Sequence, residues 1–153
     1  MTANEEQFRE FVGITEPRLH RALAAQLGWD QGREATAEAL AYAWEHWHKV
    51  QAMANPAGYL FRVGKSRVRR RKSRELFIRE DDEAHWFEPA LGRSLAELPE
   101  RQRVAVVLVH GYGWTSREVA EVTGVKVTTV QSHVERGLAR LRTQLEVERS
   151  ERD

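Results

Sequence analysis

The chain contains no cysteine, which excludes disulfide bonds, thiolate metal sites and thiol catalysis. This fits a reducing compartment, and we expect a cytoplasmic location. No apolar stretch approaches the length that spans a bilayer, and the polar start MTANEEQ lacks a signal-peptide core, so we expect no membrane insertion. Net charge is also nearly absent: charged residues make up 31% of the 153 residues, yet the formal net charge is +1. Affinity for a polyanion must therefore come from local clusters.

The sequence carries no convincing strand signal and no internal repeat, and it predicts an all-α fold. A β-branched run at residues 104–109 resembles a strand, but Pro99 with Glu100 is a favourable helix start, so we expect a helix over residues 99–112. In the N-terminal half a helix is expected over residues 30–48. Its stripe of Leu40, Trp44 and Trp47 is interpreted as core packing.

Charge is distributed very unevenly in the middle of the chain. Residues 62–74 contain eight basic residues and no acid, and the acidic stretch EDDEAHWFEP follows shortly afterwards. This reversal of sign, followed by Pro89 and Gly92, predicts a linker over residues 79–94. We therefore expect two small helical domains, residues 1–78 and residues 95–153, joined by an acidic linker.

The basic run continues a helix that is expected to begin at Asn55-Pro56, where asparagine caps the free amides and proline takes the first helical position. Basic residues then recur at spacings of three and four, which produces one cationic stripe. An unbroken positive face indicates a polyanionic partner, because solvated helices usually mix charges of both signs. A solvated face or a localisation tract is the alternative. Tyr59 and Phe61 are suited either to stacking on unpaired bases or to core packing.

Residues 115–142 predict a helix–turn–helix that enters a DNA major groove. Thr115 and Glu118 have the spacing of a capping box, and Gly124 followed by Val125 fits a tight turn between two helices. In the second helix apolar residues recur every three or four positions, and polar groups suited to phosphates and base edges occupy the other face. An ordinary helical hairpin with a solvated face is the alternative.

Together these residues resemble a known family. NPAGYLFRVGKSRVRRR and LAELPERQRVAVVLVHGYGWTSREVAEVTGVKVTTVQSHVERGLARLR resemble, in order and separation, two motif blocks of the extracytoplasmic-function (ECF) group of bacterial sigma-70 factors. The resemblance covers residues 5–146. It implies a non-enzymatic protein that binds core RNA polymerase, directs it to promoter DNA and assists duplex opening. It also implies control by an anti-sigma factor.

The resemblance assigns roles to three sets of residues. Recognition of the −35 element falls on the second helix of the helix–turn–helix, at Thr128, Thr129, Gln131, Ser132, Glu135 and Arg136. Recognition and melting of the −10 element, assisted by the loop at residues 48–54, fall on Asn55, Tyr59, Arg62, Lys65, Arg69 and Arg70. Polymerase binding falls on Glu34, Glu38, Tyr42 and Glu45.

Two other functions stay open at this point. A stand-alone repressor or activator would use residues 115–142 alone, and a degenerate sigma-like protein would bind polymerase or a regulator without reading DNA. We expect no catalytic residues and no cofactor. The six histidines show no pairing typical of a metal site.

Overall fold

The computed structural model describes residues 1–68 and 89–152, and every regular element within these ranges is helical. The first four helices form what we call the N-terminal module, and the last four form the C-terminal module. Their bounds are α1 Ala3–Leu27, α2 Trp29–Glu45, α3 Trp47–Val50, α4 Pro56–Arg67, α5 Pro89–Glu97, α6 Glu100–Val106, α7 Ser116–Thr123 and α8 Val127–Arg152. The expected all-α fold with a helix–turn–helix is confirmed. None of the described helices is long and apolar enough to cross a bilayer.

Small residues bring α1 and α2 close together. Ala24, Ala35 and Ala39 are fully buried, and a methyl group built on Gly32 would lie 2.5 Å from the Ala24 Cα atom. Only glycine fits at such a distance between backbones. The chain reverses between the two helices at Gly28, whose φ of 94° lies in the region that favours glycine.

The helix expected over residues 30–48 is interrupted near its end. At His46 the backbone leaves the helical region, with φ −119° and ψ 31°, so α2 ends at Glu45 and a separate turn, α3, follows. The expected loop at residues 48–54 therefore begins with a helical turn. The interpretation of Trp44 as core was wrong: it is 45% exposed, whereas Trp47 is 8% exposed. Trp44 packs against the half-buried ring of Phe8, with the ring centroids 5.0 Å apart.

The start of α4 is the predicted one, but its end is not. The Asn55 side chain accepts a hydrogen bond from the Gly58 amide at 3.0 Å, and Pro56 occupies the first turn. The helix ends at Arg67, because Val68 is extended with φ −106° and ψ 125°. Continuation through the arginines at positions 69–74 lies outside the described residues.

The C-terminal module begins earlier than the sequence predicts. Helix α5 starts at Pro89, so residues 89–94 of the expected linker are helical; α5 packs on α8, a non-local contact that sequence pattern does not reveal. The expected helix over residues 99–112 is α6 followed by the π-helical turn Val107–Gly111, in which the Tyr112 amide donates to the Val107 carbonyl at 3.1 Å. The β-branched run thus forms a buried helical segment.

The two modules pack directly against each other. Helix α1 contacts α6, and α4 contacts α7. Leu23 and Phe61 of the N-terminal module belong to the same buried cluster as Val104 and Val119 of the C-terminal module. A cavity of about 290 Å³ lies between them. In the described state, one hydrophobic core therefore spans both modules.

Candidate nucleic-acid interface

Helices α7 and α8 form the helix–turn–helix. The Glu118 amide donates to the Thr115 hydroxyl and the Thr115 amide donates to the Glu118 carboxylate, both at 3.1 Å, so the predicted capping box is confirmed. These hydrogen bonds, with a smaller effect from Arg18, lower the pKa of Glu118. The turn is closed by Gly124, whose φ of 76° is left-handed. The local sequence therefore fixes the angle at which α8 leaves α7.

Helix α8 presents the predicted polar face outward. Val130 and Leu141 point into the core, whereas Gln131 and Arg136 are exposed on the side away from the protein. The remaining residues expected at the −35 element are also accessible, with Thr128 and Glu135 exposed and Thr129 and Ser132 half-buried. This face offers amide, hydroxyl and guanidinium groups at the amino end of a helix, which suits base edges and phosphates.

The N-terminus of α4 holds the first residue assigned to the −10 element, and it does not face solvent freely. Asn55 uses its side-chain oxygen to cap α4, and its Nδ2 donates to the main-chain carbonyl of Glu121 in α7 at 2.7 Å. Arg62 lies two helical turns after Asn55 and is exposed beside Gly124. Asn55 and Arg62, both predicted to bind DNA, therefore contact the helix–turn–helix in this state.

A cluster of aromatic and cationic side chains, which we call the tyrosine cluster, lies where α2, α3 and α4 meet. The hydroxyls of Tyr42 and Tyr59 are 3.0 Å apart, and the His46 ring stacks on Tyr42 at 4.1 Å. The Arg67 guanidinium lies 5.2 Å from the Tyr42 ring, and Lys49 Nζ lies 5.4 Å from the Tyr59 ring. The hydrogen bond with Tyr42 and the charge of Lys49 lower the pKa of Tyr59, and the hydrogen bond with Tyr59 raises the pKa of Tyr42.

The other predicted site residues occupy separate places. Glu34, Glu38 and Glu45 are exposed on α2, as expected for a protein-binding face. Tyr42, predicted to bind polymerase with them, is instead joined to Tyr59 of the −10 set. Lys65 lines the cavity between the modules with its ammonium 5.2 Å from the Phe61 ring. Arg69 and Arg70 lie outside the described residues.

The sequence did not indicate a role for Arg103, although this residue is buried between the modules. It is 5% exposed, and its guanidinium donates from Nε to the Ala25 carbonyl at 2.9 Å and from Nη2 to the Gln26 carbonyl at 2.8 Å. A third bond joins Nη1 to the Leu98 carbonyl at 3.3 Å. One sequence signal was available: Arg103 directly precedes the apolar run at residues 104–109. A charged residue that is buried with such a run needs a hydrogen-bonding partner.

These elements define a helical protein with two modules: one contains a helix–turn–helix, and the other contains the aromatic and cationic tyrosine cluster. The family model described as Sigma-70, region 4 matches residues 89–141. The chain is 29% identical over 128 residues to the ECF RNA polymerase sigma factor RpoE of Cereibacter sphaeroides, covering 73% of this chain and 71% of that protein. The chain is thus similar to sigma-70 proteins of the ECF type, and its residues 89–141 match the region 4 model.

Two solved structures share the fold over nearly the whole chain. The first is the sigma factor RpoE in complex with the anti-sigma factor NepR from Bartonella quintana, with a TM-score of 0.65, 19% identity and coverage of 93% of this chain and 98% of that chain. The second is CnrH in complex with the cytosolic domain of CnrY, with a TM-score of 0.60, 20% identity and coverage of 95% and 91%. At these identities the likeness concerns the fold.

Proposed function

We propose that the protein directs core RNA polymerase to specific promoters and assists the opening of the duplex, without catalysing a reaction itself. The observation that carries the proposal is the outward polar face of α8 in a region 4 helix–turn–helix, on the same chain as the tyrosine cluster and its cations. A function in transcription initiation places the protein in the cytoplasm.

Helix α8 would read the −35 element in the major groove. Gln131 can bond bidentately to adenine and Arg136 to guanine, and each such pair is worth about 1–3 kcal/mol of discrimination. Thr128 and Thr129 lie at the amino end of the helix, where backbone amides and the helix dipole favour a phosphate. Ser132 and Glu135 complete the same accessible face.

The N-terminal end of α4 and the tyrosine cluster would act on the −10 element. Asn55 stands at the entrance of α4, where its amide suits capture of an extruded base. Tyr59 and Arg62 supply an aromatic face and a cation beside it, and stacking of a base on an aromatic ring is worth about 1–3 kcal/mol. Lys65, with Arg69 and Arg70 further along the sequence, would hold the phosphates of the opened strand.

The exposed acids of α2 would bind core polymerase. Glu34, Glu38 and Glu45 recur at helical spacing on one accessible face, which favours a basic partner surface. Tyr42 lies at the edge of this face and contacts the −10 set through Tyr59, so it would join the two functions. Because both solved neighbours were obtained with a bound regulator, an anti-sigma factor or a similar protein is also proposed as a partner of this chain.

The proposal is tested with purified chain, core polymerase and promoter fragments. The chain is expected to bind core polymerase and to start transcripts at fixed positions. Arg136→Ala is expected to weaken promoter binding about 5- to 150-fold while core binding is unchanged. Arg149→Ala is the matched control, since it is an exposed arginine in the last turn of the same helix. Failure of the chain to bind core polymerase would refute the proposal.

The same assay separates the two alternatives. A stand-alone regulator would bind a duplex without core polymerase and would start no transcripts. A degenerate sigma-like protein would bind polymerase, yet Arg136→Ala and the intact chain would then behave alike on every promoter. The region 4 match and the accessible face of α8 favour the promoter-reading function over both.

A further inference from the structure

The cavity between the modules, which we call the interface cavity, has an apolar floor. Its volume of about 290 Å³ lies near the lower end of the roughly 300–1,000 Å³ that is typical of small-molecule sites. Phe61 from α4, Val119 from α7 and Val130 from α8 line it, and each is 1% exposed. Val104 and Ala105 of α6 line it as well. Burial of an apolar group against this floor is therefore favourable.

Charged side chains of both modules line the same cavity. Lys65 of α4 and Arg101 of α6 are cationic, and Glu100 is the one acid among the lining residues in the described part of the chain. The Lys65 ammonium lies 5.2 Å from the Phe61 ring, so a positive charge directly adjoins the apolar floor. Arg101 is exposed, and its forked guanidinium suits the two oxygens of a carboxylate. With two cations against one acid, the lining favours an anionic group.

His133 of α8 brings buried polar atoms to this cavity. Both of its ring nitrogens are buried, and neither has a hydrogen-bond partner among the residues that the structure describes. Burial, followed by the charges of Arg101 and Arg136, lowers the pKa of His133. The ring is therefore neutral near neutral pH and carries one N–H donor and one acceptor nitrogen. Buried polar atoms in folded proteins are usually paired, and a ligand with an acceptor oxygen would satisfy the N–H group.

We propose that the interface cavity is a binding site for a small amphipathic carboxylate, a molecule with one apolar ring system or short chain and one carboxylate group. The apolar body packs against Phe61, Val119 and Val130. The carboxylate accepts hydrogen bonds from the Arg101 guanidinium and from the His133 ring. An uncharged hydrocarbon would leave the His133 N–H group without a partner, and a small inorganic anion would leave the apolar floor uncovered.

The site is tested by isothermal titration of the full chain at neutral pH with benzoate, 2-naphthoate and decanoate, which share the carboxylate and differ in the apolar body. Binding needs neither polymerase nor DNA, so this inference goes beyond the proposed function and does not depend on it. At least one probe is expected to bind at a single site with a Kd of about 1 mM or tighter. The primary amide of the same acid should bind at least about tenfold more weakly, because it lacks the charge. No saturable binding by any of the three carboxylates would overturn the proposal, and so would equal binding by acid and amide.

Two substitutions locate the bound probe. Ala105→Met places a flexible side chain in the cavity and is expected to weaken binding at least about tenfold, because it occupies the space of the apolar body. Arg101→Met removes a partner of the carboxylate and is expected to weaken binding about 3- to 10-fold, since solvent screens this exposed pair. Arg140→Met, at an exposed arginine of α8 that does not line the cavity, is the matched control and should leave the affinity unchanged. Unchanged affinity in both Ala105→Met and Arg101→Met would place the probe elsewhere and overturn the proposal.

Measurements on the unsubstituted chain complete the test and do not depend on how any variant folds. Proton–nitrogen correlation spectra of the imidazole rings report hydrogen bonding at each ring nitrogen, and the probe is expected to shift a ring signal of His133. The exposed ring of His48 serves as the control and should not shift. A tenfold excess of probe over its Kd is expected to raise Tm by about 3–5 °C, because the probe binds the folded chain. Equal shifts at His48 and His133 would contradict the proposal.

Discussion

Replacement of Arg103 by methionine is expected to lower the free energy of unfolding by about 2–4 kcal/mol. The guanidinium makes three hydrogen bonds to main-chain carbonyls, two of them across the module interface, and a hydrogen bond to a charged group contributes about 1.5–3 kcal/mol. Burial of the charge itself costs several kcal/mol, so the net effect is smaller than the sum. Methionine fills similar space but leaves the Ala25 and Gln26 carbonyls without this donor.

The change is measured by thermal and urea unfolding of the full chain. For a protein of this size, a loss of 2–4 kcal/mol corresponds to a decrease in Tm of about 5–15 °C. Arg103→Lys keeps the charge but lacks the forked geometry, and an intermediate decrease is expected. Arg101→Met is the matched control: Arg101 is exposed on the same helix, and its replacement should change stability by less than about 0.5 kcal/mol. An Arg103→Met chain as stable as the original would show that these hydrogen bonds do not stabilise the fold.

Three further predictions follow from packing, titration and base recognition. Gly137→Ala is expected to destabilise the chain by about 1–3 kcal/mol, because the new methyl group would lie 2.6 Å from Val106 Cγ2. Burial, together with Arg101 and Arg136, lowers the pKa of His133 below its ordinary 6.5. As the pH falls, His133 is therefore protonated in the unfolded chain before it is protonated in the folded chain. The free energy of unfolding should decrease as the pH falls below 6.5. Gln131→Ala is expected to lose about 5- to 150-fold discrimination at one base pair of the −35 element.

Each of these has a control within the chain. Gly13 is also helical but has open space around it, so Gly13→Ala should stabilise by about 0.5–1 kcal/mol; equal effects at Gly13 and Gly137 would contradict the packing argument. His133→Asn should flatten the dependence of unfolding free energy on pH between about 5 and 7, and an unchanged slope would exclude His133 as its source. For Gln131, competition with singly substituted duplexes should show relaxed preference at one position, whereas a uniform loss would indicate a phosphate contact.

Features set by neighbouring residues were predictable from sequence. Asn55 with Pro56, and Thr115 with Glu118, satisfy their hydrogen bonds within a single turn, so their spacing is sufficient to place helix starts. The outward face of α8 follows from the period of its apolar residues in the same way. The all-α fold and the family resemblance rest on these local patterns.

Features set by distant residues were not predictable. Trp44 has the spacing of a core residue, but it lies at the surface beside Phe8 of α1 and is 45% exposed. Arg103 and its partners Ala25 and Gln26 are separated by more than 70 residues, and no pattern in one helix reveals such a pair. The packing of α7 over Asn55 likewise depends on how two modules meet. The roles of the individual site residues remain predictions.

Promoter selection by this chain is measured by sequencing the 5′ ends of transcripts that core polymerase makes on genomic DNA with and without it. We expect a set of start sites that appear only with the chain and that share two upstream sequence elements at fixed spacing. Gln131→Ala should change the preferred sequence of the upstream element alone. Identical start sites with and without the chain would show that it does not direct polymerase to promoters.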